Sequence, residues 1–145
     1  MDKMAEINID ATNAIVGRMA TYVAKQALLG NTVNIFNCEK AFISGNPVAV
    51  RARYYHLIFK TGRPEKGPFI SRMPDRFVRR IIRGMVEHRQ GRGREAFERI
   101  MCYMGVPEGF KDKKLVKVAK EVSALPKVKY ISIGKLCTSL GGRVE

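Results

Sequence analysis

The chain has 145 residues and carries 27 Lys and Arg against 13 Asp and Glu, a formal net charge of +14. Apolar residues make up 46%, which excludes a disordered basic tail, and the length suits one domain spanning residues 1–145 with a real core. No run reaches the ~18 apolar residues of a membrane span, the opening MDKMAEINID lacks a signal-peptide pattern, and three scattered cysteines without CxxC spacing (Cys38, Cys102, Cys137) indicate reduced thiols rather than a disulfide or zinc framework.

Ile7 and Ile9 alternate with Asn8 and Asp10, which predicts a short first strand. Val16, Met19, Ala20, Val23, Ala24, Ala27 and Leu28 recur at helical spacing, and Gly30 ends that helix. Thr32–Phe36 is β-branched and aromatic, a second strand, and Ala41, Phe42 and Ile43 form a third. Asn46 and Pro47 cap and open a helix whose inner face is expected to be Val48, Ala52, Tyr55 and Phe59. Arg51, Arg53, Tyr54 and Lys60 fall nearer its other side.

Residues 60–94 hold eleven cations against three carboxylates, a net +8 and more than half of the chain's total. The cations are Lys60, Arg63, Lys66, Arg72, Arg76, Arg79, Arg80, Arg83, Arg89, Arg92 and Arg94. Arginine outnumbers lysine nine to two, and a planar guanidinium binds phosphate bidentately and stacks on bases as lysine cannot. Residues 60–74 contain three prolines and two glycines without periodicity, a stiffened loop of the length that is often functional. From Asp75, an expected helix N-cap, the chain reads DRFVRRIIRGM. Phe77, Val78, Ile81, Ile82 and Met85 make an apolar face, while Arg76, Arg79, Arg80 and Arg83 span an arc of about 100° nearly opposite. Solvated faces usually mix signs, and like charges at this spacing repel. A polyanion reverses that cost. On this reading Arg79, Arg80 and Arg83 serve binding and not the fold. Residues 87–95, EHRQGRGRE, form a second arm whose glycines let the backbone approach phosphate, with His88 beside Arg89 as a further contact.

Residues 94–104 predict another helix, with Ala96, Phe97, Ile100, Met101 and Met104 buried, a Glu95–Arg99 pair on its surface, and Gly105 and Pro107 at its end. Residues 111–125 predict a helix with its lysines outward, residues 128–133 a last strand, and residues 134–140 a final short helix. Alternating strands and helices give an α/β class with a mainly parallel sheet, for which four strands suffice.

Chemistry is sparse. Gly17 opens a helix after a strand but lacks the other glycines of a phosphate-binding turn, so it is expected to serve helix-on-strand packing. Asp10 has no companion carboxylate and is expected to cap its turn. No catalytic triad, metal-ligand spacing or cofactor motif can be assembled. The residues alone leave two other classes open: an RNA-modifying or nucleotide-binding α/β enzyme, and a DNA-compacting or mRNA-binding regulator.

Four stretches together resemble the universal large-subunit ribosomal protein thirteen family: DATNAIVGRMA (10–20), VNIFNCEKAFISG (33–45), RMPDRFVRRIIRGM (72–85) and GREAFERIMCYMGVP (93–107). The resemblance runs in order over residues 6–107. It looks archaeal, without the tryptophan-containing start and YHHTGYPGG-like loop of bacterial members or the helical extension of eukaryotic ones. One departure is Glu87 after Val86, where the family usually has proline or serine; it suggests that the arginine helix runs past Met85. The resemblance implies a three-layer α/β/α sandwich around a four-stranded sheet. It also implies a non-enzymatic constituent of the cytoplasmic ribosome that binds large-subunit rRNA early in assembly, beside neighbouring large-subunit ribosomal proteins. No cofactor, metal, membrane or small-molecule substrate is expected. The expected rRNA-binding residues are Arg53, Tyr54, Lys60, Arg63, Lys66, Arg72, Arg76, Arg79, Arg80, Arg83, His88, Arg89, Arg92 and Arg94. Tyr54, Tyr55 and Phe69 are candidates to stack on unpaired bases, with Tyr55 the better candidate for the core.

Overall fold

A computed structural model describes residues 4–119, 121–125 and 128–144. Strand β1 (Glu6–Asp10), helix α1 (Val16–Leu28) and strand β2 (Thr32–Phe36) form a βαβ unit in which β2 lies parallel to β1. Strand β4 (Ile100–Cys102) adds in parallel to the other edge of β2, giving the order β1-β2-β4. The register aligns Ile7, Val33 and Ile100 in one row and Ile9, Ile35 and Cys102 in the next. These rows meet the apolar stripe of α1, where Val16, Met19, Val23 and Ala27 are buried, together with Phe77, Val78, Ile82 and Ala96 from the helices that follow. The alternation of apolar and polar residues in β1 places Asn8 on the opposite face, where the Asn34 side chain donates to Asn8 Oδ1 and Glu6 Oε1 at 3.1 Å each.

The α/β class and the parallel sheet follow the alternation in the sequence. The sheet has three strands, and Val116 supplies a single parallel bridge on the free edge of β1. Its carbonyl accepts from Asp10 N at 3.0 Å and its N–H donates to Asn8 O at 2.9 Å. Strand β3 (Phe42–Ser44) pairs instead with β5 (Tyr130–Ser132), antiparallel, as a separate ribbon. Helix α5 (Ile133–Ser139) follows, capped by Ser132, whose hydroxyl accepts from Lys135 N.

Several expectations are corrected. The helix predicted over residues 94–104 is helix α4 (Gly91–Glu98), and the chain then turns into β4. Ile100 and Cys102 are buried while Met101 is 42% exposed, an alternation that pairing with β2 selects over the helical reading. No α-helix forms in the described part of residues 111–125, and Lys120 lies outside it. That stretch runs irregularly from a 3-10 turn at Glu108–Phe110 to another at Val122–Ala124. The polar face of the sheet is covered here by aromatic packing, with Tyr103 stacked on Phe36 at 5.3 Å and Phe110 at 5.0 Å from it. In helix α2 (Pro47–Tyr55), Asn46 caps as expected, accepting from Val48 N at 3.1 Å. The inner face is different. Val50, Tyr54 and, in the π turn beyond the helix, Ile58 pack on the core, while Val48, Tyr55 and Phe59 are 76%, 47% and 48% exposed. Gly17 is exposed and a Cβ there meets nothing, so packing does not require it. Asp10 does hold its turn, its Oδ1 accepting from Thr12 N, Thr12 Oγ1 and Asn37 Nδ2.

Candidate nucleic-acid interface

Helix α3 (Pro74–Arg83) carries the densest charge. Met73 is its N-cap and Pro74 occupies the first turn, the position that suits proline's fixed φ. Asp75 is therefore inside the first turn and not the cap expected of it. Its Oδ1 is buried without a hydrogen-bond partner, where the helix N-terminal field favours a carboxylate. Burial, with the Asp75 charge beside it, pushes the Cys137 thiol up to about 12. Phe77, Val78 and Ile82 are buried, as the periodicity requires, but Met85 is 43% exposed. The helix ends at Arg83 and gives way to hydrogen-bonded turns after Gly84, so it does not run past Met85.

Opposite the buried face lies a cleft of about 200 Å³ lined by Phe69, Ser71, Arg76, Arg79, Arg80, Arg83 and Phe97. The four arginines read as one face are thus gathered in one place. Among the described residues the ion pairs are Arg99–Glu95, Lys113–Glu6 and Lys117–Glu121, and none uses a cation of residues 60–94. Arg79 departs from expectation. Its Nε donates to Ile100 O at 3.0 Å, its Nη2 to Phe97 O at 3.2 Å, and its guanidinium lies 3.9 Å from the centre of the Phe97 ring. These bonds join α3 to the end of α4 and the start of β4, so Arg79 serves the fold as well as the face. Arg80 Nη1 donates to Phe69 O at 3.3 Å and fastens the proline loop to the helix. Phe97 and Ser71 were missed as lining residues. The periodicity assigns Phe97 to the core, and only the tertiary approach of α3 to α4 reveals its place.

The loop is more ordered than its composition suggests. Gly67 N and Lys66 N both donate to Arg63 O, at 2.9 and 3.2 Å, closing a tight turn that presents the exposed Arg63 and Lys66. Arg72 does not join the cleft. Its Nη1 donates to Leu140 O at 3.3 Å and its guanidinium lies 5.4 Å from the Phe59 ring centre. A Cβ at Gly142 would overlap the Arg72 carbonyl, so the C-terminal turn packs directly on this residue.

The remaining expected residues surround this centre without converging on it. Arg53, Lys60, Arg89 and Arg94 are exposed, and His88 is half-buried. Arg92 lines a groove with Leu28, Met85 and Gln90. The GRGR run is not a free arm but the first turn of α4. Gly93 is buried there and a Cβ on it would overlap the Glu87 carbonyl, so it serves packing rather than phosphate approach. Tyr54 and Tyr55 exchange expected roles. Tyr54 packs on Phe77 at 4.8 Å, and burial pushes its phenol pKa up despite nearby Arg53. Tyr55 is exposed beside Phe59, the ring centres 4.8 Å apart. Among the described residues there is no group of three metal-ligating side chains, and no helix is long and apolar enough to cross a membrane.

Comparison with known proteins shows the family to which the chain belongs. Residues 5–109 match the family model described as Ribosomal protein L13. A protein of Methanococcoides burtonii named large ribosomal subunit protein uL13 is 39% identical over 136 residues, covering 93% of this chain and 97% of its own. The proteins of the same name from Methanopyrus kandleri and Methanococcus maripaludis are 39% and 40% identical, covering 92% and 93% of this chain and 85% and 97% of their own.

Proposed function

Because the chain belongs to the ribosomal protein L13 family, a family of ribosomal proteins and not of enzymes, we propose that it is a structural constituent of the large ribosomal subunit in the cytoplasm. In this reading it binds large-subunit rRNA through the α3 arginines and the basic segments on either side, and acts early in subunit assembly. The observation that carries the reading is the gathering of four arginines around one cleft with no carboxylate paired to them among the described residues. A face of one sign repels itself in water and is relieved by polyanion. A-form RNA conceals its major-groove edges, so the contacts are to backbone and shape, and guanidinium groups bridge phosphates of strands that otherwise repel.

The test has two parts. In sucrose gradients of a lysate, the chain is expected with the large subunit at low salt and to resist moderate salt; a pool mainly at the top means a free factor and overturns the reading. In binding to large-subunit rRNA, Arg76→Ala, Arg80→Ala and Arg83→Ala combined should flatten the log K against log salt slope by about 2–3, since each released phosphate contact contributes ~0.7–0.9. An unchanged slope removes this face from the interface.

A further inference from the structure

Resting on that reading, we propose that the α3 cleft receives one unpaired nucleotide of the RNA, its base against the Phe69 ring and its phosphate on Arg76 and Arg83. A surface that met only phosphates would need cations alone. This one has two aromatic residues in its lining, Phe69 and Phe97. Phe69 is 70% exposed, a large apolar area left in water. It is nevertheless held. Arg80 fixes its carbonyl, and its ring rests on Gly67, where a Cβ would come within 3.0 Å of Cδ2. Gly67 has φ +90°, so a side chain there is strained as well as crowded. A ring exposed to water on one side and backed by its own turn on the other offers a face for stacking.

The Phe97 wall has the same character. Arg79 covers that ring at 3.9 Å and donates to two carbonyls, which places a flat, hydrogen-bonded cation at the cleft. Guanidinium planes and phenyl rings are the surfaces on which unpaired bases stack. Size narrows the choice. At about 200 Å³ the cleft falls below the ~300–1,000 Å³ of small-molecule sites and suits a single base. A paired base stays within its helix. The occupant is therefore a nucleotide turned out of the stack, which RNA supplies at bulges and loops where unstacking costs least.

The experiment measures affinity for a perfect RNA duplex and for the same duplex with one bulged adenosine, by fluorescence anisotropy at one fixed salt concentration. The full chain is expected to prefer the bulged duplex by about tenfold, toward the lower end of what one base–aromatic stack contributes. Phe69→Leu keeps apolar bulk but has no π face and should remove the preference for the bulged duplex. Phe69→Tyr should retain it. Arg83→Ala should weaken both RNAs. Equal affinity of the wild-type chain for the two duplexes, or a preference that survives Phe69→Leu, overturns the proposal. If both RNAs bind equally but Arg83→Ala weakens them, only the nucleotide site falls. If neither binds, the rRNA reading falls with it.

Discussion

Replacing Arg79 with alanine should destabilise the protein, although the residue belongs to the face read as an RNA surface. Two hydrogen bonds from its guanidinium reach the carbonyls of Ile100 and Phe97, at 3.0 and 3.2 Å. A hydrogen bond to a charged group contributes ~1.5–3 kcal/mol, and stacking over an exposed aromatic adds ~0.5–1 kcal/mol. The side chain is only part-buried, so water replaces some of what is lost, and the expected net cost is about 2–3 kcal/mol. Near 150 residues each kcal/mol lowers Tm by ~2–4 °C, so Arg79→Ala should melt ~5–10 °C lower. Arg76→Ala and Arg83→Ala are the controls. Neither donates a hydrogen bond to another described residue, so each should stay within ~0.5 kcal/mol of wild type. Thermal melts by circular dichroism and urea titration both report the difference. The reasoning is refuted if Arg79→Ala melts within 1 °C of wild type (a shift smaller than ~0.5 kcal/mol), or if the two controls melt as low as it does.

Other outcomes follow from the same geometry. Gly93→Ala should destabilise by about 1–3 kcal/mol in urea titration, because overlap with the Glu87 carbonyl outweighs the gain in helix propensity; Gly17→Ala, with open space around it, should be neutral or slightly stabilising. Burial raises the Asp10 pKa, but the hydrogen bonds from Thr12 and Asn37 outweigh it and the net shift is downward. Asp10 therefore stabilises the fold above the usual carboxylate pKa of 3.8, and the contribution fades as pH falls through its lower native value. Asp10→Ala should accordingly cost about 1–2 kcal/mol at neutral pH, and its deficit should shrink in acid melts below pH ~3.8. Cys38, Cys102 and Cys137 are all buried, and Cys137 is pushed up to about 12, so a thiol reagent at pH 8 should label none in the native protein and all three in guanidinium.

Where one periodicity dominates, the sequence is readable. In α1 the apolar residues fall on a single stripe, and the helix spans Val16–Leu28 as expected, with Leu29 rather than Gly30 at its C-cap. In α2 there are two apolar stripes, Val50–Tyr54–Ile58 and Val48–Ala52–Tyr55–Phe59, and spacing alone does not say which meets the core. At residues 100–102, helical and alternating patterns fit the same apolar residues, and the neighbouring strand decides. The arginine face was readable because four cations share one side of a helix without carboxylates among them. What Arg79 also does for the fold was not. Its carbonyl acceptors lie 18 and 21 residues away, and nothing local marks a cation that stacks on a distant ring.

The bond between Arg72 and the Leu140 carbonyl joins residues 68 positions apart. Arg72 also packs against Gly142, where any side chain would collide with its backbone. A growing chain makes these anchors last. The arginine helix leaves the site of synthesis with its cations in place and with Arg80 in reach of the proline loop, but the Arg72 end of that loop gains its anchor only when Leu140 to Gly142 have followed. Order of synthesis therefore separates two events: the charge of the surface arrives early, and its shape is completed late.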